Sequence, residues 1–376
     1  MAKFLQNNEY KGIINIMASF MNFEDSNIGA IGNIGNISKI DCTIYKSIYL
    51  TIGIIGIGVL GAAILESLNI LNQLNNDMHN DMHNDMHIVI KCCDKYKINT
   101  NYYNINNMLD CDIIFLCLPT PYIENINETE TINETIDMNI DSNMNESIDE
   151  SMDISIDYMC NLQNGNGNGN GNCYDKTELF NTITELNNYK YTGLIVIKST
   201  IEPGYTEYIS SIYCDLKIIH NPEFLTARIA TADFLNQKHI ILGLPTQILD
   251  KHYEIIVHFY KTYFPTAHLS ICNSTESECM KIACNSFYAT KIQFFTEIKL
   301  LCDTIHINYD NVKQLMLNNE WINPMHTTIP GHDGKLSFGG ACLPKDIKAL
   351  GAFMQKNNTP HVVINAVIEE NKIMRK

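Results

Sequence analysis

The segment Gly56-Ile57-Gly58-Val59-Leu60-Gly61 does most to limit what this chain can fold into. It follows a β-rich run at 49–55 and opens a helical pattern at 59–71. In that setting the first glycine permits a tight turn and the second lets a pyrophosphate approach the backbone. The third lets helix and strand pack closely, and the helix N-terminus faces the phosphates. Further apolar strands are predicted at 87–92, 112–118, 194–198, 216–220 and 239–242, with helical stretches between them. Such alternation gives a mostly parallel sheet with helices on both faces, an α/β, Rossmann-like doubly wound fold. Asp94 follows the second strand, where a carboxylate can take both ribose hydroxyls and favour NAD over NADP.

After residue 272 the pattern turns helical. Thr275 and Glu278 suggest a capping box that opens a long amphipathic helix to about 303, with shorter helices at 311–317, 345–355 and 361–374. The expected organisation is a poorly ordered extension over 1–48, a dinucleotide-binding domain over 49–272 and a helical domain over 273–376. Two low-complexity tracts, 77–87 and 123–172, interrupt the first domain, and neither has the composition to offset the entropy of ordering. His79, His83 and His87 stand four apart in the first tract, a spacing that repeat slippage explains without a metal.

The charge is acidic, 26 Lys and Arg against 42 Asp and Glu, but eleven of the acidic residues fall between Glu124 and Asp157. An acidic chain without a basic patch argues against nucleic acid and anionic membranes as partners. No apolar run approaches the roughly 20 residues of a membrane span. The thirteen cysteines form no CxxC pair and several sit singly in apolar runs, so free thiols in a reducing compartment are expected. With no signal or transit peptide in the pattern, the expected location is the cytoplasm.

Five more motifs carry chemistry. Pro119-Thr120-Pro121 makes a rigid loop at the carboxyl edge of the sheet, where cofactors sit. Lys198-Ser199-Thr200 ends another strand and offers hydroxyls there. Asn221-Pro222-Glu223-Phe224-Leu225 exposes a carboxylate able to position or deprotonate a water. Lys281 and Asn285, one helical turn apart, offer an ammonium and an amide to a single oxygen, as an oxyanion site needs. Phe338-Gly339-Gly340-Ala341-Cys342-Leu343-Pro344-Lys345-Asp346 places a cysteine near a helix N-terminus and beside a lysine, a setting expected to lower the thiol pKa and make a nucleophile. Asp346 could hold a water or orient Lys281.

In this order, from residue 49 to 376 apart from the two tracts, these motifs resemble the UDP-glucose/GDP-mannose dehydrogenase family. The resemblance implies an NAD-binding Rossmann domain and a homodimer built on the helix 275–303. It also implies a four-electron oxidation of a sugar-nucleotide C6 alcohol, UDP-glucose foremost, to the carboxylate. Carried over by position, Lys281 and a water on Asp346 would take the alcohol proton, and Cys342 would attack the aldehyde. Lys281 and Asn285 would hold the oxyanion, while Glu223 and Thr200 would order the hydrolytic water. Cofactor contacts would come from Gly56, Gly58, Val59, Leu60, Gly61, Asp94, Pro119, Thr120, Ser199 and Lys345. Phe224, Leu225, Phe338, Gly339 and Gly340 would line the substrate, and no metal is called for.

Three features depart from the family. Thr226-Ala227-Arg228 stands where a second glutamate is usual, with Ala227 at the acidic position. The segment 326–334 looks like a shorter branch, and beyond the cysteine motif the chain runs only to Lys376, without a counterpart of the family's C-terminal domain. Two other readings follow: a two-electron dehydrogenase of the β-hydroxyacid type, which pairs a lysine and an asparagine but has no need of Cys342, and a catalytically silent NAD-binding or dimerisation module.

Overall fold

The computed structural model describes residues 48–77, 86–97, 104–123, 173–248 and 250–375. The extension expected over 1–48 lies outside the described residues but for Ile48. The two tracts are described only at their margins, at Asp77, Met86 and His87 and at Ile123, so His79 and His83 are outside as well.

Seven strands form one sheet: β1 (Ile48–Ile55), β2 (Met86–Cys93), β3 (Ile113–Leu116), β6 (Leu194–Ile197), β7 (Lys217–His220), β8 (His239–Leu244) and β9 (His268–Asn273). Their spatial order is β2-β1-β3-β6-β7-β8-β9. Every neighbouring pair is parallel except β7 with β8. The sequence reading found six of these strands and missed β9, whose residues are only half-buried at best and carry no apolar run.

β3 and β6, reading Ile-Ile-Phe-Leu and Leu-Ile-Val-Ile, are buried throughout, as strands covered on both faces must be. Alternate side chains go to opposite cores. Ile52, Ile54, Phe115, Val196 and Ile219 join one apolar cluster with α1 (Val59–Asp77) and α5 (Asp250–Tyr263). Ile114, Leu116, Ile195, Ile197 and Ile218 join the other with α2 (Thr177–Asn188) and α3 (Tyr205–Ile212). A short helix, α4 (Ala230–Leu235), leans on α1, where Thr231 donates its hydroxyl to Glu66 at 2.7 Å. Chain leaving β1 crosses to β2 on one side, and the later strands build outward from β3 on the other. This reversal opens a crevice beyond the carboxyl ends of β1 and β3, the place where such sheets bind ligands.

A two-stranded ribbon, β4 (Tyr122–Ile123) with β5 (Cys173–Tyr174), joins the margins of the second tract: Tyr122 pairs with Tyr174 and Ile123 with Cys173.

From β9 the chain passes directly into α6 (Ser274–Thr304), 31 residues long and so about 46 Å. Its capping box is Asn273 with Glu276, not Thr275 with Glu278 as expected: the Asn273 side chain accepts the Thr275 N–H, and the Glu276 carboxylate takes the Asn273 N–H. Glu278 lies inside instead. The first turns of α6 press on β8, where a Cβ on Gly243 would come within 2.6 Å of Ser277 Cβ. Three more helices pack around α6: α7 (Tyr309–Leu317), α8 (Leu343–Lys356) and α9 (Val362–Met374). Among the described residues no helix is long and apolar enough to cross a membrane, and no group of histidines, cysteines and carboxylates could hold a metal ion.

Glu278 is fully buried and accepts the backbone N–H groups of Gly204 at 2.6 Å and Thr206 at 2.8 Å. A carboxyl group from α6 thus caps the first turn of α3, accepting N–H groups that a helix start leaves unpaired. Burial pushes its carboxyl from 4.5 up to about 8, and the bonds from Thr206 and Gly204 offset only part of that rise. Between about pH 4.5 and about 8 the folded chain keeps a proton that the unfolded chain has released, so stability falls as pH rises through this window. Glu278→Gln removes this titration. Thermal unfolding followed by circular dichroism from pH 5 to 9 is expected to show a shallower decline in the variant up to pH 8; parallel declines would assign the slope to other groups.

Candidate active site

The glycine loop after β1 divides its work as the sequence suggested. Gly56 has φ of +90°, and a Cβ there would stand 2.7 Å from the Cys117 carbonyl oxygen of the neighbouring loop. A Cβ on Gly61 would strike the Gly56 carbonyl oxygen at 2.0 Å, so helix and turn meet only because it is absent. At Gly58 a Cβ would meet nothing within 4 Å. The backbone is therefore bare and open where a diphosphate would approach the start of α1, with Val59 exposed and Leu60 half-buried beside it.

Asp94 is partly engaged already. Its Oδ2 accepts the Ile57 N–H at 2.7 Å and its Oδ1 the Tyr96 N–H at 2.9 Å. It steadies the glycine loop, and each oxygen keeps an acceptor position for a ribose hydroxyl. Lys97, unnoticed in the sequence, donates to the Ile57 carbonyl at 2.5 Å. Across the crevice, Thr120 donates its hydroxyl to the Thr200 carbonyl and Ser199 to the Leu118 carbonyl, both at 2.7 Å. These hydroxyls, expected to contact a cofactor, spend their hydrogens on latching the β3 and β6 loops together. Pro119 stands exposed at the rim. The cradle's donors, glycines and carboxylate fit a dinucleotide.

The second cluster forms where α6 and α8 meet the sheet's carboxyl edge. Cys342 is the N-cap of α8, and Pro344 occupies its first turn. Asp346 is completely buried with both oxygens bonded: Asn285 Nδ2 donates to Oδ2 at 2.6 Å, while Lys345 Nζ and the Tyr174 hydroxyl donate to Oδ1 at 2.5 Å. Lys345 also lies 4.5 Å from the centroid of the Tyr174 ring. It therefore serves the carboxylate with one of its three donors. Lys281 is buried and donates to the backbone carbonyl of Glu223, with the Glu223 carboxylate at 3.4 Å. Asp346 was expected to hold a water or orient Lys281; the group that bonds Lys281 here is Glu223.

Glu223 is held in turn. Its Oε2 takes the Leu225 N–H at 2.5 Å, and the loop is anchored by buried Asn221. Asn221 donates to the Ile241 carbonyl and accepts from Lys198 and from the Tyr260 hydroxyl. Burial pushes Lys198 down to about 8. Phe224 stands exposed beneath the Lys281 ammonium, 5.1 Å from ring centroid to nitrogen, while Leu225 packs against the core. Phe338, expected to line the substrate, is buried against Ala289, Ile347 and Val367. It supports the loop from below, and Arg375 packs on Gly339. Gly340, with φ of +81°, has open space where a Cβ would point.

The thiol reverses an expectation. Desolvation by the surrounding protein raises the Cys342 pKa, and the Asp346 and Glu223 carboxylates add to the rise; Lys345 and Lys281 oppose it without prevailing. A helix N-terminus and an adjacent lysine do not make a standing thiolate here.

Residues 275–373 match the central domain of the UDP-glucose/GDP-mannose dehydrogenase family. The UDP-glucose 6-dehydrogenase of Rickettsia bellii (strain RML369-C) is 34% identical over 188 residues, which are 48% of this chain and 41% of that enzyme. The chain thus spans well under half the length of this relative. A UDP-glucose dehydrogenase structure from Pyrobaculum islandicum superposes with a TM-score of 0.57 at 17% identity, covering 90% of this chain and 70% of that one. A Mycobacterium tuberculosis 3-hydroxyisobutyrate dehydrogenase superposes at 0.55 with 12% identity, covering 87% and 94%. These two likenesses establish the Rossmann-like fold.

Alkylation of Cys342 by iodoacetamide, followed residue by residue in a mass spectrometer, is expected to show a pH midpoint above the ordinary thiol value of about 9. Asp346→Asn removes one cause of the rise and is expected to lower that midpoint. A wild-type midpoint below 8 would restore the thiolate reading.

Proposed function

We propose that this chain is an NAD-dependent nucleotide-sugar 6-dehydrogenase, oxidising the C6 alcohol of a UDP- or GDP-sugar, UDP-glucose first, to the uronate in two steps and four electrons. The observation that carries the reading is the convergence of Cys342, Asp346, Asn285, Lys281 and Glu223, drawn from three separate stretches, at the edge of a dinucleotide crevice. NAD, when bound, supplies the acceptor for the hydrides.

Lys281 and a water held by Asp346 would receive the alcohol proton. The Cys342 sulfur would then add to the aldehyde carbon, giving a thiohemiacetal whose oxygen Lys281 and Asn285 would stabilise. Because the thiol is held protonated at neutral pH, its proton has to leave the sulfur during that attack and end on the former carbonyl oxygen, completing the thiohemiacetal. Loss of the second pair of electrons leaves a thioester. Water, ordered by Glu223 and the half-buried Thr200 hydroxyl, would release the carboxylate and return the thiol.

NADH release against a panel of UDP- and GDP-sugars tests the proposal. One substrate is expected to yield two NADH per molecule, with Cys342→Ser losing turnover by at least about a hundredfold or stalling as a bound intermediate. One NADH per substrate, unaffected by that substitution, would move the assignment to a two-electron dehydrogenase. Binding of NAD without oxidation of any sugar would leave a silent module.

The same reading includes a homodimer through α6. Phe287, Phe294 and Leu301 recur every seven residues along this helix and are 62%, 49% and 52% exposed. Spacing of that kind makes an apolar seam suited to a second helix. Phe294→Glu is expected to convert a dimer of the wild type to a monomer in light scattering; a monomeric wild type would refute the seam.

A further inference from the structure

We infer that Tyr174 is a positioning residue for the proposed reaction, acting through Asp346; the inference rests on the function proposed above. Nothing in the sequence singled this tyrosine out. It closes the ribbon beside residues 124–172, far along the chain from the cysteine motif, yet its ring is 1% exposed and its hydroxyl lies 2.5 Å from Asp346 Oδ1.

Asp346 has four acceptor positions on two oxygens. Lys345 and Tyr174 fill two on Oδ1 and Asn285 fills one on Oδ2, which leaves one acceptor position on Oδ2 for the water of the proposed mechanism, to be reached once the buried site opens to substrate. Burial and the neighbouring Asp346 charge hold the Tyr174 phenol well above its usual range, so it remains a donor throughout the working pH range. Its hydroxyl therefore fixes the plane of the carboxylate and hence where the free lone pair points.

The tyrosine is itself braced. Its backbone N–H donates to Glu202 Oε1 at 2.8 Å, and its carbonyl accepts from Lys176, whose ammonium forms a buried ion pair with Glu202 Oε2 at 2.8 Å. A buried pair with each carboxylate oxygen bonded to a donor keeps one geometry, because displacement leaves a desolvated charge unpaired. Rigidity thus passes from Glu202, beside the Thr200 loop, through Tyr174 to Asp346.

Tyr174→Phe keeps the ring under Lys345 and removes only the hydroxyl. One charge-assisted bond of this kind corresponds to roughly a tenfold change. With the sugar nucleotide that the wild type oxidises, kcat is expected to fall about tenfold while KM changes less than twofold. In an Asp346→Asn background the same substitution is expected to have no further effect. Equal losses in both backgrounds, or a change confined to KM, would overturn the inference and leave Tyr174 a packing residue. Should the wild type oxidise no sugar nucleotide, the functional reading fails by itself. The positioning role is then read from iodoacetamide labelling of Cys342: removing the hydroxyl leaves Asp346 less countered and is expected to raise the pH midpoint, whereas an unchanged midpoint would overturn it.

Discussion

Burying a carboxylate is unfavourable by several kcal/mol unless its oxygens find donors. Among the described residues three carboxyl groups are buried along the seam between the sheet and α6: Glu202, Asp346, and Glu278, which keeps its proton up to about pH 8. Each gathers donors from segments distant in sequence. Glu278 reaches from α6 to the turn before α3, Glu202 reaches from that turn to the β5 strand and Lys176, and Asp346 joins β5 to α6 and α8. The three form a circuit in which sheet, ribbon and helices are mutually fixed. Removing a partner of Glu202 or Asp346 would expose the desolvation of a charge, and removing one from Glu278 would leave a buried polar group unpaired, in each case a larger penalty than the loss of one contact.

Much of this was legible in the sequence where the physics is local. The glycine spacing, the apolar period of β3 and β6 and the proline after Cys342 each act through their immediate neighbours, and each lies where its pattern placed it. Failures came where the deciding partner is distant. Glu278 reads as the third residue of a capping box after Thr275; the box falls two residues earlier, on Asn273 and Glu276, and frees Glu278 to turn inward. Tyr174 follows an Asn-Gly repeat and has no pattern of its own, so only the fold reveals its bond to Asp346. Thr120 and Ser199 stand at the right edge of the sheet, yet nothing in a strand-end tripeptide says that its hydroxyl will serve the next loop's carbonyl.

Cys342 shows how a correct local inference can be outweighed. The helix start and Lys345 do favour a thiolate. Desolvation and a carboxylate one turn along the same helix act the other way, and they win. The protonation state of the sulfur is therefore coupled to Asp346.

The pairing of Tyr122 with Tyr174 and Ile123 with Cys173 has an evolutionary consequence. Once two ends of chain are pinned side by side, lengthening what lies between them raises the closure entropy only logarithmically, about 0.6 kcal/mol for each doubling. Repeat expansion between residues 124 and 172 is therefore almost invisible to selection on stability. The ribbon acts as a firewall: the gene can grow or shrink on one side while the chemistry on the other keeps its register.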